Sequence, residues 1–167
     1  RLHKVPCLGL RFFNVYGPNE YHKGAMASLV YKAYNQVVDT SQLKLFKSYL
    51  PQYKDGEQMR DFIYVKDVTA WMDELIQKTP KSGVYNMGFG QARTWVDLAK
   101  SVFSSMDRKL KIEFIEMPEN IKHQYQYYTS AKMTKWFSQK LSQPKWSIED
   151  GVKDYIRNYL AKDDPYL

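Results

Sequence analysis

Cysteine is almost missing: Cys7 is the only one in 167 residues. A single thiol excludes an internal disulfide and any cysteine-rich zinc site. Its setting in an apolar run reads as buried packing rather than as a nucleophile. Histidine is nearly as sparse, and His3, His22 and His123 stand too far apart for ligand spacing, so no metal is expected. No apolar run approaches the ~18 residues that span a bilayer. Arg1 to Pro6 has no apolar signal core behind its basic start. Together with the lone thiol, this points to a reducing cytoplasm and no membrane partner. The first residue is Arg1 rather than methionine, which reads as a start in mid-sequence. Repeats and low-complexity segments are missing too.

What is present is the composition of a folded protein: 44% hydrophobic, 26% charged and 16% aromatic. That is enough to bury a core at this length. The net charge of +7 suits either a nucleic-acid surface or a pocket for a small anion such as a nucleotide diphosphate. The Lys and Arg residues are scattered and form no run or stripe, which argues against nucleic acid.

Apolar Val5 to Phe13 reads as a buried strand ending at the turn-forming Asn14-Val15-Tyr16-Gly17-Pro18. Helical spacing runs from Gly24 to Val38, and a strand covers Leu43 to Phe46. Lys47 to Met59, with Pro51 and Asp55-Gly56, is a long loop. A strand at Asp61 to Tyr64 precedes a helix at Val65 to Gln77. Gly83 to Gly88 is a strand. Thr94 and Asp97 have the spacing of a capping box for a helix at Thr94 to Met106. A strand at Lys111 to Ile115 leads into a Pro118 loop running to about Tyr128. Helices follow at Ser130 to Gln139 and Ser147 to Leu160, the second with Ser147 and Asp150 as another candidate box. Alternating strands and helices give an α/β class. Gly88-Phe89-Gly90 lacks the third glycine of a dinucleotide-binding loop. The chain therefore reads as a substrate domain that needs a partner.

Three segments carry a resemblance: Arg11-Phe12-Phe13-Asn14-Val15-Tyr16-Gly17-Pro18, Arg60-Asp61-Phe62-Ile63-Tyr64-Val65-Lys66-Asp67-Val68 and Tyr85-Asn86-Met87-Gly88-Phe89-Gly90. In this order and spacing they resemble the extended short-chain dehydrogenase/reductases, the family of nucleotide-sugar epimerases and dehydratases. The resemblance covers essentially the whole chain. It implies an α/β fold made of the last strands of a Rossmann sheet plus a small α/β substrate-binding domain. Residues 1–167 would be the C-terminal half, and the dinucleotide-binding half would be absent. The segment His22-Lys23-Gly24-Ala25-Met26-Ala27-Ser28 narrows the resemblance to members that invert C6 of an ADP-linked heptose, the sugar supplied to lipopolysaccharide core.

The chemistry implied is isomerisation by transient oxidation: NADP, with NAD as the alternative, takes a hydride from a sugar carbon and returns it to the opposite face. The family's Tyr-x-x-x-Lys acid/base lies before Asn14, and only 13 residues precede Asn14 here, so the chain alone is expected to be inactive. Lys23 matches the lysine these enzymes place near cofactor and sugar, as a second acid/base. By resemblance the Val15 backbone lies against the nicotinamide and Asn14 binds the sugar or diphosphate. Arg60 suits a diphosphate through paired hydrogen bonds, with a surface salt bridge to Asp61 as its alternative. Phe46 would stack on adenine beside Lys47, Ser48 and Tyr49, and Tyr125 would bond phosphate, with Tyr127 and Tyr128 competing for that role. Ala25 stands where the family usually has serine and Lys32 where it has histidine. Lys54 to Met59 looks inserted. The partners implied are ADP-heptose and the missing half, and a homo-oligomer is compatible with both.

Overall fold

A computed structural model describes residues 5–166; His3 and the rest of the Arg1 to Lys4 start lie outside them. Among the described residues seven strands form three small groups. Strand β1 (Leu8–Phe12) pairs in parallel with β5 (Gly83–Met87). Strand β4 (Met59–Tyr64) lies between β2 (Asn14–Tyr16), parallel to it, and β6 (Ala92–Thr94), antiparallel. Strand β3 (Leu43–Phe46) pairs in parallel with β7 (Ile112–Ile115). The helices are α1 (Leu29–Thr40), α2 (Val65–Lys78), α3 (Trp95–Ser105), α4 (Glu119–Lys122), α5 (Thr134–Ser138) and α6 (Ile148–Tyr155). A π-helical turn at Ile156–Leu160 continues α6, and a 3-10 turn at Tyr21–Met26 precedes α1. Among the described residues no helix is long and apolar enough to cross a membrane.

Two cores result. One gathers Tyr16, Val30, Val37, Leu43, Tyr64, Leu98, Val102 and Tyr155 between α1, α3, α6 and the sheets. The other places Trp71, Tyr85, Met87 and Trp136 between α2, α5 and the β1–β5 pair. Two acids of the Arg60 to Val68 segment clasp distant loops to this frame. Asp61, fully buried, accepts backbone N–H groups from Phe89 (2.6 Å), Gly90 (2.9 Å) and Ala131 (2.8 Å). Asp67 accepts those of Lys145 (2.9 Å) and Trp146 (3.1 Å).

Several expectations change. The strand read as Val5 to Phe13 divides at Phe13, whose N–H still bonds Met87 while Val15 moves on to β4. It is not buried: among the described residues β1 has β5 on one edge only, and Phe12 is 47% exposed. Cys7 is exposed as well, because it precedes β1. The helix expected from Gly24 starts at Leu29, since Gly24 takes a left-handed φ of 51° and Ala27 is extended. Ser28 then caps it, accepting the Tyr31 N–H at 3.2 Å. The helix expected from Ser130 shrinks to α5 because Thr129 and Ala131 give their N–H groups to Met59 and Asp61. The Pro118 loop contains α4, and β6 was not foreseen. The Thr94–Asp97 capping box forms in full. At Ser147 only half does, since the Asp150 carboxylate turns to the Ser147 hydroxyl and not to backbone.

Candidate functional site

Strand β2 ends over a cavity of about 430 Å3 lined by Asn14, Val15, Lys23, Ser28, Phe62 and Trp95, among others. The Asn14 side chain donates to the Asp61 carbonyl at 3.0 Å, which fixes its amide and leaves its oxygen without a partner among the described residues. Lys23 comes from the 3-10 turn. That turn is held from beneath by Glu20, a buried acid that no sequence motif above marks. Glu20 accepts the Ser28 N–H and hydroxyl, each at 2.6 Å, and the Tyr155 hydroxyl at 3.1 Å. One carboxylate thereby ties the turn, the start of α1 and the end of α6 together. The Lys23 ammonium, exposed above it, has no carboxylate within ion-pair distance among the described residues.

Trp95, the first residue of α3, forms one wall of this cavity, packs on Phe62 at 5.3 Å between ring centres, and meets Arg60 beyond it. The Arg60 guanidinium lies 5.6 Å from the Trp95 ring centre and 5.2 Å from that of Tyr125. Cation–π contact of this kind holds the group without neutralising it. Its hydrogen bond within the protein goes to the Met59 carbonyl at 2.8 Å. The alternative ion pair with Asp61 does not form, because Asp61 is spent on three backbone amides. Across the β4–β6 ladder Arg60 sits opposite Arg93, which is matched by Asp97 (3.2 Å) and Glu149 (2.5 Å). Of this like-charged pair, Arg60 is the one left unmatched. Burial lowers its pKa from the ordinary arginine value, as expected of a charge without a counter-ion.

Tyr125 accepts the Trp95 indole N–H at 2.8 Å and meets Phe46 edge-on at 6.4 Å. Burial raises its phenol above the ordinary tyrosine value, so it keeps its proton at neutral pH. The neighbouring tyrosines differ. Tyr127 is buried, with its hydroxyl accepting the Tyr49 N–H at 2.9 Å, and Tyr128 is exposed. Of the three, Tyr125 is the one beside Arg60.

The structure thus gathers Asn14, Val15 and Lys23 about one cavity, and Arg60 and Tyr125 about Trp95 on its far wall, with Phe46 against Tyr125. The remaining sequence candidates are engaged elsewhere. Lys47 pairs with Glu116 at 2.7 Å. The Ser48 hydroxyl donates to Leu50 at 2.9 Å, and Tyr49 donates to the Lys122 carbonyl at 2.5 Å. Lys32 donates to the Ala25 carbonyl at 2.5 Å, and both lie outside the cavity lining, bracing the 3-10 turn. Gly88-Phe89-Gly90 offers no phosphate cradle, since its Phe89 and Gly90 amides close on Asp61. Trp95 escaped the sequence reading, which took it as an ordinary helix residue; the contacts that distinguish it come from chain 30 and 35 residues away.

Residues 1–88 match the model of the NAD dependent epimerase/dehydratase family. The ADP-L-glycero-D-manno-heptose-6-epimerase of Fusobacterium nucleatum is 48% identical over 165 residues, 95% of this chain and 50% of that protein. The enzyme of the same name from Nitratidesulfovibrio vulgaris is 51% identical over 158 residues, 95% of this chain and 49% of its own. Among solved structures, the ADP-L-glycero-D-manno-heptose-6-epimerase of Helicobacter pylori superposes with a TM-score of 0.77 at 30% identity, over 93% of this chain and 45% of that one. The chain spans about half the length of the curated relatives it matches.

Proposed function

The chain belongs to the NAD dependent epimerase/dehydratase family, and from that premise we propose that it is the sugar-binding half of an isomerase that inverts C6 of an ADP-linked heptose. The observation that carries this is Arg60: a half-buried guanidinium with no carboxylate among the described residues, held between Tyr125 and Trp95, the latter a wall of the Asn14–Lys23 cavity. A buried charge without a partner is costly, and an anionic ligand removes that cost. A diphosphate fits the planar fork of Arg60 and the protonated phenol of Tyr125. The adenosine would then lie toward Phe46 and the sugar toward Asn14 and Lys23.

A nicotinamide cofactor fits the residues present at one wall only. Val15 and Lys23 line the cavity, while the Phe89 and Gly90 amides of the glycine-containing loop are closed on Asp61 and not open to a pyrophosphate. We take the cofactor to be NADP, held chiefly by a half outside this chain, together with the Tyr-x-x-x-Lys acid/base. When bound, the nicotinamide supplies the hydride acceptor and donor. Inversion needs proton transfer in two orientations, and Lys23, exposed and without a carboxylate partner among the described residues, is the group of this chain that can hold or deliver the second proton. Asn14, oriented by Asp61, directs a sugar hydroxyl. Phe62 and Trp95 shield the cavity from water. A cytoplasmic setting and supply of heptose to lipopolysaccharide go with this reading.

Conversion tests it. The chain fused to the dinucleotide-binding half of the Fusobacterium relative is given ADP-, UDP- and dTDP-linked sugars, and the configuration at C6 is followed. The expected result is epimerisation of the ADP-heptose, its loss in Lys23→Met, and no turnover by the 167-residue chain alone. A soluble, folded fusion that binds ADP-heptose and leaves it unchanged would refute the isomerase reading in favour of a binding module.

A further inference from the structure

Hydrogen-bond direction at Tyr125 has a chemical consequence. An indole N–H can only donate and a phenol can both donate and accept. At 2.8 Å, Trp95 Nε1–H occupies the acceptor side of the Tyr125 oxygen. The phenol proton must therefore point elsewhere, and no acceptor for it occurs among the described residues. The same indole ring lies under the Arg60 guanidinium, 5.6 Å from its centre, and Arg60 is 5.2 Å from the Tyr125 ring. One side chain thus fixes the plane of a cation and the donor direction of a hydroxyl next to it. Its own place is set by the full Thr94–Asp97 capping box, which makes Trp95 the first residue of α3, and by its contact with Phe62.

We infer that Trp95 is a positioning residue for anion capture, turning the Tyr125 hydroxyl into a preset donor beside Arg60 so that both meet the same phosphate oxygens. The inference rests on the diphosphate reading of Arg60 and goes beyond it. Trp95 touches the anion through neither charge nor hydrogen bond and acts through Tyr125. Preset donors bind an anion without first having to be ordered, and losing the preset forfeits about one neutral hydrogen bond, or roughly fivefold in affinity.

The test is a double-substitution cycle on the 167-residue chain, with inorganic pyrophosphate and ADP as probes and calorimetry as readout. Trp95→Phe keeps a ring under Arg60 and removes the N–H. The expected result is about a fivefold weaker Kd for Trp95→Phe when Tyr125 is present, and no further weakening when Tyr125→Phe has already removed the hydroxyl. In the unliganded chain the Trp95 indole N–H resonance should also shift on Tyr125→Phe. Equal weakening in both backgrounds, with Arg60→Gln still abolishing binding, would overturn the positioning role and leave the diphosphate site standing. Arg60→Gln binding pyrophosphate as tightly as the unaltered chain would sink the site itself, and the inference with it. Far-ultraviolet circular dichroism of each variant separates these outcomes from unfolding, and Trp95→His, which retains a ring N–H, provides the rescue arm if Trp95→Phe does not fold.

Discussion

Arg60 and Asp61 are adjacent, oppositely charged and unpaired with each other, and the difference between them divides structure from function. Asp61 points into the core and is consumed by three backbone amides. Burial nevertheless raises its pKa, against the lowering by the Ala131, Phe89 and Gly90 amides. Asp61→Ala leaves those amides buried and bare, and should cost about 3 kcal/mol, read as a lower urea midpoint at unchanged slope. Arg60 lies between Trp95 and Tyr125 beyond the cavity wall and has no such structural load. Arg60→Gln should leave that midpoint within about 0.5 kcal/mol of the unaltered chain while abolishing ADP binding, and Arg60→Lys should not restore it, because an ammonium lacks the planar fork. Which member of the Arg-Asp pair is bonded into the core and which is left without a counter-ion was not legible from composition or spacing. It depends on loops that close from residues 89–90 and 131. The lysine and asparagine of the cavity were found because short motifs mark them, whereas Trp95 and Glu20 act through contacts remote in sequence.

The elements that could be read in advance are those whose signals are local. The capping box at Thr94 and Asp97 needs four consecutive residues, and α3 begins where it says. Strand β3 and the helix after Tyr64 likewise follow from short apolar patterns. Strand β6, three residues long, exists only because β4 is beside it. Helix α6 shows the same dependence in its packing: Gly151 faces the Tyr16 hydroxyl and the Tyr64 ring so closely that an added Cβ has no room. Gly151→Ala should therefore cost about 1–3 kcal/mol by overpacking, although alanine is the better helix former. Further along α6, Asp154 accepts from Lys66 at 2.6 Å and Tyr64 at 2.7 Å. Desolvation pushes its pKa up, but the hydrogen bonds from Lys66, Tyr64 and Asn158 outweigh it and hold the group below the usual range. A depressed pKa stabilises the fold above the unfolded value of about 3.9 and is lost as the pH falls through the folded one. Acid titration of stability should be shallower in Asp154→Asn below about pH 4.

At the scale of the whole molecule, two cores meet at β4 and the β1–β5 pair keeps its edges open among the described residues. Among the described residues β1 has a single neighbour, and Val84 on β5 is 56% exposed. An open strand edge with exposed apolar groups is a template for association. Sedimentation velocity on the chain should show an apparent mass above 19.8 kDa that rises with concentration, and Phe12→Lys with Val84→Lys should lower it. The cavity at the end of β2 has the opposite character: its residues are held from behind by Asp61 and Glu20, and among the described residues neither Lys23 in its lining nor Arg60 behind its Trp95 wall has a carboxylate partner. That arrangement is what an anionic sugar nucleotide would complete. The most direct measurement is the side-chain N–H resonance of Arg60 during titration of the chain with ADP-heptose. A saturable shift, with the Trp95 indole moving at the same midpoint, is the result this account predicts. Binding that leaves Arg60 and Trp95 unmoved while shifting the open basic groove of Arg11, Lys132 and Lys135 would contradict it.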